Sequence, residues 1–209
     1  GAEAIQYDGM FFTGSDSYVE LPTLGYPFQR GFTIEADILI RPNTKPYTLF
    51  DTARSYGNAD IKDKNASISV DIDNGFISLS AMTEQLVNMV VSTKEPLEFN
   101  KGYKIKFVCE RVEDTNYTLS VYIDDEFNNS VKYRNLDIMS YVRSSNFLGK
   151  SNNQNYDNFK GVINSFKLSS NSYERDYLSK QKAGCKGWEG VINNLLTGVG
   201  LRYEIIIIL

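Results

Sequence analysis

The run FTIEADILI puts Phe32, Ile34, Ala36, Ile38 and Ile40 on one side of an extended chain and Thr33, Glu35 and Asp37 on the other. A period of two is the mark of a strand with one face in a core and one towards solvent. YKIKFVCE repeats it, with Tyr103, Ile105, Phe107 and Cys109 set against Lys104, Lys106 and Glu110. YTLSVYID aligns Tyr117, Leu119, Val121 and Ile123, and SISVDID aligns Ile68, Val70 and Ile72. Further strands are predicted at Ala4–Phe12, Tyr47–Asp51, Gly75–Ala81, Leu86–Val91, Phe127–Tyr133, Asn146–Gly149 and Phe159–Leu168. Asn74-Gly75 between two alternating runs is a strong hairpin signal, and VEDTNYT and IDDEFNN supply two more reversals. Strands about every 8–12 residues with such turns indicate an antiparallel sandwich or barrel. No amphipathic helix separates them, which argues against a parallel α/β sheet.

A chain of 209 residues buries roughly 70% of its unfolded surface, so a core needs neither disulfide nor metal. The net charge is −4 and no run of Lys and Arg exceeds two residues. Binding to a phosphate backbone needs clustered cations, so nucleic acid is not expected as a partner. Histidine is absent, which removes Ser-His-Asp and Cys-His catalysis and imidazole-bound zinc. Any chemistry falls to carboxylates, hydroxyls, amides or bound calcium. The two cysteines, Cys109 and Cys185, allow one disulfide or two free thiols.

A signal peptide is expected to be absent or already removed, because no charged start leads into an apolar run. The longest apolar run, Ile205–Leu209, is far shorter than the ~20 residues of a membrane span. It reads as a closing strand buried on both faces, with a truncated anchor as the alternative. Sequons at Asn65, Asn116 and Asn128 point towards an extracellular or secreted protein. Helix is expected only in SSNSYERDYLSKQK, where Glu174 and Asp176 come early and Lys180 and Lys182 late, matching the macrodipole. Gly184 ends it, and Gly187, Gly190, Gly198 and Gly200 interrupt the remainder of the chain. This divides the chain into a domain over 1–175 and a C-terminal helix and extension over 176–209.

Four stretches together carry a family resemblance. AIQYDGMFFTGSDSYVELP resembles the opening strand of laminin G-like and concanavalin A-like domains, and FTIEADILIRP their next strand. KGYKIKFVCERV with YTLSVYIDDEF is similar to a later strand pair, and NFLGKSNNQNYDNFKGVINSFKLSSNSY to the closing segment. The resemblance covers about 1–175. It implies an all-β, two-sheet antiparallel jelly-roll sandwich, with the N- and C-terminal strands side by side. It also implies a mostly non-catalytic module that binds glycans, glycosaminoglycans or proteins, often with calcium at the rim. An enzymatic branch carries Glu-x-Asp-x-x-Glu, two carboxyls about 5–5.5 Å apart. Here Glu35-Ala-Asp37 runs into Ile40 and Asp71-Ile-Asp73 into Phe76, so the set is incomplete and no enzyme is expected.

Calcium takes six to eight oxygens, and two loops offer them. Asp51, Asn58, Asp60 and Asp63 form one cluster, and Asn153, Asn155 and Asp157 the other. Family sites draw on two loops at one rim, so Asp51, Asp60, Asp63 and Asp157 are the candidate metal ligands. Loops also use Asp and Asn for turns without metal. A sugar needs a ring to stack on and amides for its hydroxyls. Tyr56, Tyr156 and Trp188, flanked by Asn58, Asn153 and Asn155, are the candidates. The resemblance also favours a Cys109–Cys185 disulfide, worth on the order of 4 kcal/mol for so long a loop. The alternative is a buried Cys109 and a free Cys185.

The sequence thus reads as an extracellular recognition module for a glycan or glycoprotein, optionally bridged by calcium. The rival is an assembly or adhesion domain that docks other protein chains through LRYEIIIIL. A glycoside hydrolase ranks third.

Overall fold

A computed structural model of the chain describes residues 9–24, 27–53, 67–113, 115–138, 143–170, 191–192, 195–197 and 200–208. The strands run in the order β1 (Met10–Thr13), β2 (Val19–Glu20), β3 (Gly31–Ile40), β4 (Tyr47–Ala53), β5 (Ile68–Asp73), β6 (Phe76–Met82) and β7 (Asn88–Ser92). Next come β8 (Gly102–Glu113), β9 (Asn116–Ile123), β10 (Glu126–Tyr133), β11 (Ser145–Leu148), β12 (Asp157–Asn158) and β13 (Lys160–Ser170). β14 (Val191–Ile192), β15 (Leu195–Thr197) and β16 (Gly200–Ile208) come last. The described residues contain no α-helix, only a 3-10 turn at Pro27–Arg30. The stretch expected to be helical lies outside them, apart from its first two serines, Ser169 and Ser170, which belong to β13.

Two sheets face each other. The larger runs β10-β9-β8-β3-β13, and along the far edge of β13 lie β1 and β16 end to end. β1 pairs with Lys160–Ile163 and β16 with Ser165–Ser170. The expected neighbourhood of the first and closing strands is therefore present for Met10–Thr13, and residues 4–8 of the expected first strand lie outside the described residues. The apolar tail, read as a closing strand, pairs its backbone with β13, and β14 and β15 pair with β16. The smaller sheet runs β2-β11-β4-β5-β6-β7, all antiparallel, with β12 added parallel to β4.

The alternation seen in the sequence sets which faces meet. Phe32, Ile34, Ala36, Ile38 and Ile40 of β3 are buried, as are Ile68, Val70 and Ile72 of β5. Rings join the layers: Phe50 lies 5.2 Å from Phe166, and Phe12 stands edge-on to Phe159 at 5.7 Å. Asn74 and Gly75 both take positive φ in the β5–β6 turn, and Asp124 and Asp125 do so between β9 and β10. Those are the turns that match strand twist in two-residue hairpins.

One open side of the sandwich is closed by side chains. The Tyr133 hydroxyl of β10 donates to the Val90 carbonyl and accepts from the Val90 N–H, both at 2.8 Å. Asn129 Nδ2 donates to Ser92 O at 2.9 Å, and Lys94 N–H donates to Asn128 Oδ1 at 2.9 Å. These groups serve the edge of β7 as a neighbouring strand would, which protects it from pairing with another chain. Tyr133→Phe removes both bonds to Val90 and is expected to destabilise the fold by about 1 kcal/mol. Urea unfolding checks this through a lower midpoint at unchanged slope.

Candidate functional site

The outward face of the smaller sheet is where polar side chains gather. In β5, Ile68, Val70 and Ile72 point into the core, which leaves Ser69 and Asp71 on the other side. In β4 the parity is broken: Thr48 pairs with Asp71, but Phe50 pairs with Val70 and Asp51 with Ser69. The bulge falls at Leu49 and turns Thr48 to the same face as Asp51. Bulges re-aim side chains in this way. The Thr48 and Ser69 hydroxyls each donate to Asp71 at 2.6 Å. Burial pushes the Asp71 carboxyl above its ordinary pKa, and those two bonds partly offset the shift.

β11 sits beside β4 because its entry is held from the core side. Arg143, fully buried, donates from Nη1 to Thr52 O at 3.1 Å and lies over the Phe28 ring. Asn146 Nδ2 donates to Pro22 O and Arg143 O at 2.8 Å, while Asn146 Oδ1 accepts from Thr52. With Asn146 and Leu148 buried, Phe147 is left on the outward face opposite Asp51. The strand ends at Gly149, whose φ is +84°. A Cβ there would lie 2.5 Å from the Phe12 ring, so no other residue fits this turn without movement.

From Gly149 the chain leaves the sheet and returns as β12, with Asp157 beside Tyr47. Phe159 N–H donates back to Gly149 O at 2.9 Å and closes the excursion. Asp51 pins the loop: one carboxylate oxygen accepts from Asn152 N–H at 2.7 Å and Ser151 Oγ at 3.2 Å. The other oxygen is buried with no hydrogen-bond partner, and the residue is 2% exposed. Burial raises its pKa to about 6; the bonds from Asn152 and Ser151 oppose the rise, and the charge of Asp71 adds to it. The Asn152 side chain also exchanges bonds with Ser145, at 2.6 and 3.1 Å.

Beside this loop lies an aromatic pair. Tyr18, 44% exposed, stands edge-on to Phe147 with ring centroids 5.6 Å apart. Lys150 Nζ sits 4.2 Å from the Tyr18 centroid and 4.6 Å from that of Phe147. A ring pair, an ammonium group and a loop rich in amides therefore share one accessible face.

Several residues singled out in the sequence meet here. Asn153 N–H donates to Ser151 Oγ, and Asn153 Oδ1 accepts from Asn155 N–H, an Asx-type turn that leaves Asn155 exposed. Tyr156 is half-buried; burial raises its pKa, with the charges of Asp71 and Asp73 adding to the rise. Asp157 belongs to the same loop but not to the same place. It accepts from Asn43 Nδ2 at 2.9 Å and lies 3.9 Å from Lys45 Nζ. It is four residues along β4 from Asp51, roughly 13 Å at the rise of a strand. Asp51 and Asp157 thus do not converge on one cation, and the described residues hold no group of three acidic or thiol side chains fit for a metal. Tyr56, Asn58, Asp60, Asp63, Asn65, Cys185 and Trp188 lie outside the described residues. Cys109 is buried and free among the described residues, and Cys185, its expected partner, lies outside them. Asn116 Oδ1 accepts from Asn135 N–H, and Asn128 serves the edge described above. Glu35 is held between Lys106 and Lys167 at 3.6 and 3.8 Å on the other sheet.

Tyr18, Phe147, Lys150 and the Asp71 cluster were not among the sequence candidates for ligand binding. The outward placing of Phe147 was legible in the alternation: once Leu148 is inward, its neighbour must face out.

The sequence matches no protein-family model and no curated protein. Solved structures do match its shape. A SAP-like pentraxin from Limulus polyphemus shares 14% identity over 79% of this chain and 77% of its own, with a TM-score of 0.51. The LG4-5 domains of the mouse laminin α1 chain share 17%, covering 77% of this chain and 40% of theirs, at 0.55. The CBM40 of the Ruminococcus gnavus IT-sialidase, bound to α2,3-sialyllactose, shares 9%, covering 74% and 83%, at 0.51. The chain is thus a jelly-roll sandwich of the concanavalin A-like kind.

Asp51 also makes stability depend on pH. Its folded pKa, about 6, lies above the ordinary 3.8. The folded state therefore holds the proton more tightly, and stability is gained below the lower value and lost as pH rises through the upper. A rise of about two units corresponds to roughly 3 kcal/mol. The stability difference between the wild type and Asp51→Asn is expected to move by up to that amount between pH 4 and 7, against the wild type at the higher pH. Denaturant unfolding at each pH measures it.

Proposed function

We propose that the chain is a non-catalytic recognition module that binds glycans on the outward face of the smaller sheet. The observation that carries this reading is the accessible Tyr18–Phe147 pair beside the amide-rich loop of Ser151–Tyr156. A sugar ring offers an apolar face for an aromatic surface and hydroxyls for amides, and this face has both. The loop is held before any ligand arrives, so little ordering is left for binding to impose. The CBM40 neighbour with its bound sialyllactose supports the class of ligand.

A hydrolytic role has less support. A retaining glycosidase needs two carboxyls flanking the scissile bond, and Asp51 lies buried under the loop while both oxygens of Asp71 accept from hydroxyls. The sequons support an extracellular setting. The backbone of the apolar tail pairs within the chain, which favours recognition over assembly through that strand. This reading does not call on calcium: both oxygens of Asp71 and one of Asp51 accept from protein donors, while the other Asp51 oxygen is buried without a partner.

A broad glycan array, run with calcium and again with chelator, tests the proposal. Binding to a related set of glycans is expected under both conditions. Tyr18→Ala and Phe147→Ala are each expected to weaken it at least tenfold while leaving thermal unfolding cooperative. Silence on the array, or full binding by both variants, overturns the reading. Loss of binding in chelator keeps the module and adds a cation to it.

A further inference from the structure

Lys150 is placed unlike an ordinary surface lysine. Its stem follows Gly149, and its ammonium group is clamped against two rings, at 4.2 and 4.6 Å. The side chain is half-buried, yet no hydrogen bond or ion pair holds it among the described residues. Glu20, opposite Phe147 in the next strand, forms no ion pair with it. Contact with ring faces attracts the cation but replaces only part of the hydration of an ammonium ion. Its N–H donors remain to be served by water or by a ligand. The rings also fix a long side chain that would otherwise lose rotamer entropy on binding a ligand.

We propose that Lys150 is the anion-reading group of this face, so that the ligand is an acidic glycan carrying a carboxylate or a sulfate. This rests on the glycan reading above and narrows it. The acid pairs with the ammonium group while the adjoining sugar ring lies against the exposed part of Tyr18. Desolvation by the two rings strengthens that pairing relative to one in open water. Asp51 and Asp71 do not compete for the ammonium group, because one is buried beneath the loop and the other is taken by Thr48 and Ser69.

The test compares lactose, 3′-sialyllactose and 3′-sulfolactose, alongside array oligosaccharides in matched neutral, sialylated and sulfated forms. Titrations use the full chain and its Lys150→Met and Lys150→Arg variants. Methionine keeps the packing on the rings, and arginine keeps the charge. Acid-bearing forms are expected to bind at least tenfold more tightly than their neutral parents. Lys150→Met is expected to abolish that preference, and Lys150→Arg to retain most of it. A stronger response to sialyl or to sulfo forms tells which acid is read. Equal binding of neutral and acidic forms overturns the acid preference and leaves glycan recognition standing. So does a preference that survives in Lys150→Met, or one lost equally in Lys150→Arg. No binding to any glycan overturns both. Should Lys150→Met unfold, Lys150→Gln carries the same expectation.

Discussion

Phe50 and Phe166 meet across the two sheets, and the rest of the molecule is shaped by the need to bury the residues around them. A sheet can hide an apolar row only by giving up every second residue to its other face. The polar residues that β4 and β5 turn outward include Thr48, Asp51, Ser69 and Asp71. The core therefore determines where the polar groups stand before any ligand is considered. The bulge at Leu49 is the one departure from strict alternation in β4, and it gathers those groups instead of scattering them.

The same pressure explains the loop. Asp51 is flanked by the backbone of β5 and β11 and covered by Ser151 and Asn152. A buried carboxylate with one unserved oxygen is unfavourable, as its raised pKa records. What opposes that cost is order: two donors from consecutive loop residues meet one oxygen, and charge-assisted bonds of this kind are about twice as strong as neutral ones. A shorter or apolar residue at 51 would relieve the strain on the carboxylate and leave the loop without its pin.

The fold was largely legible because it is written in short-range patterns. The alternation of Phe32–Ile40 and the Asn74-Gly75 turn each specify local geometry, and both appear as read. Strand edges moved by one to three residues in most cases, since pairing partners and not propensity decide where a ladder stops. The Leu49 bulge had no local signature: it depends on how Thr48 meets Asp71 across a strand pair. The place of Asp157 was hidden for a similar reason. Its spacing from Asn153 suggested a common cluster, but β12 runs parallel to β4 and carries it towards Tyr47. Asn153, Asn155 and Tyr156 were legible as a polar loop, whereas Tyr18 became part of the same face only through the pairing of β2 with β11.

Two oppositely charged groups frame that face, and they are prepared in opposite ways. Asp51 is withdrawn from solvent and spends its hydrogen bonds on the loop, while Lys150 is held at the surface by rings that accept no directional bond from it. The acid organises the backbone and the cation is left available. Were the roles exchanged, with the lysine paired to Asp51, the buried oxygen would be satisfied and the pair neutral. The loop would then lose part of its reason to lie on the sheet, and the rings would face solvent without a charge above them. Keeping the charges apart leaves one group to build the face and the other to use it.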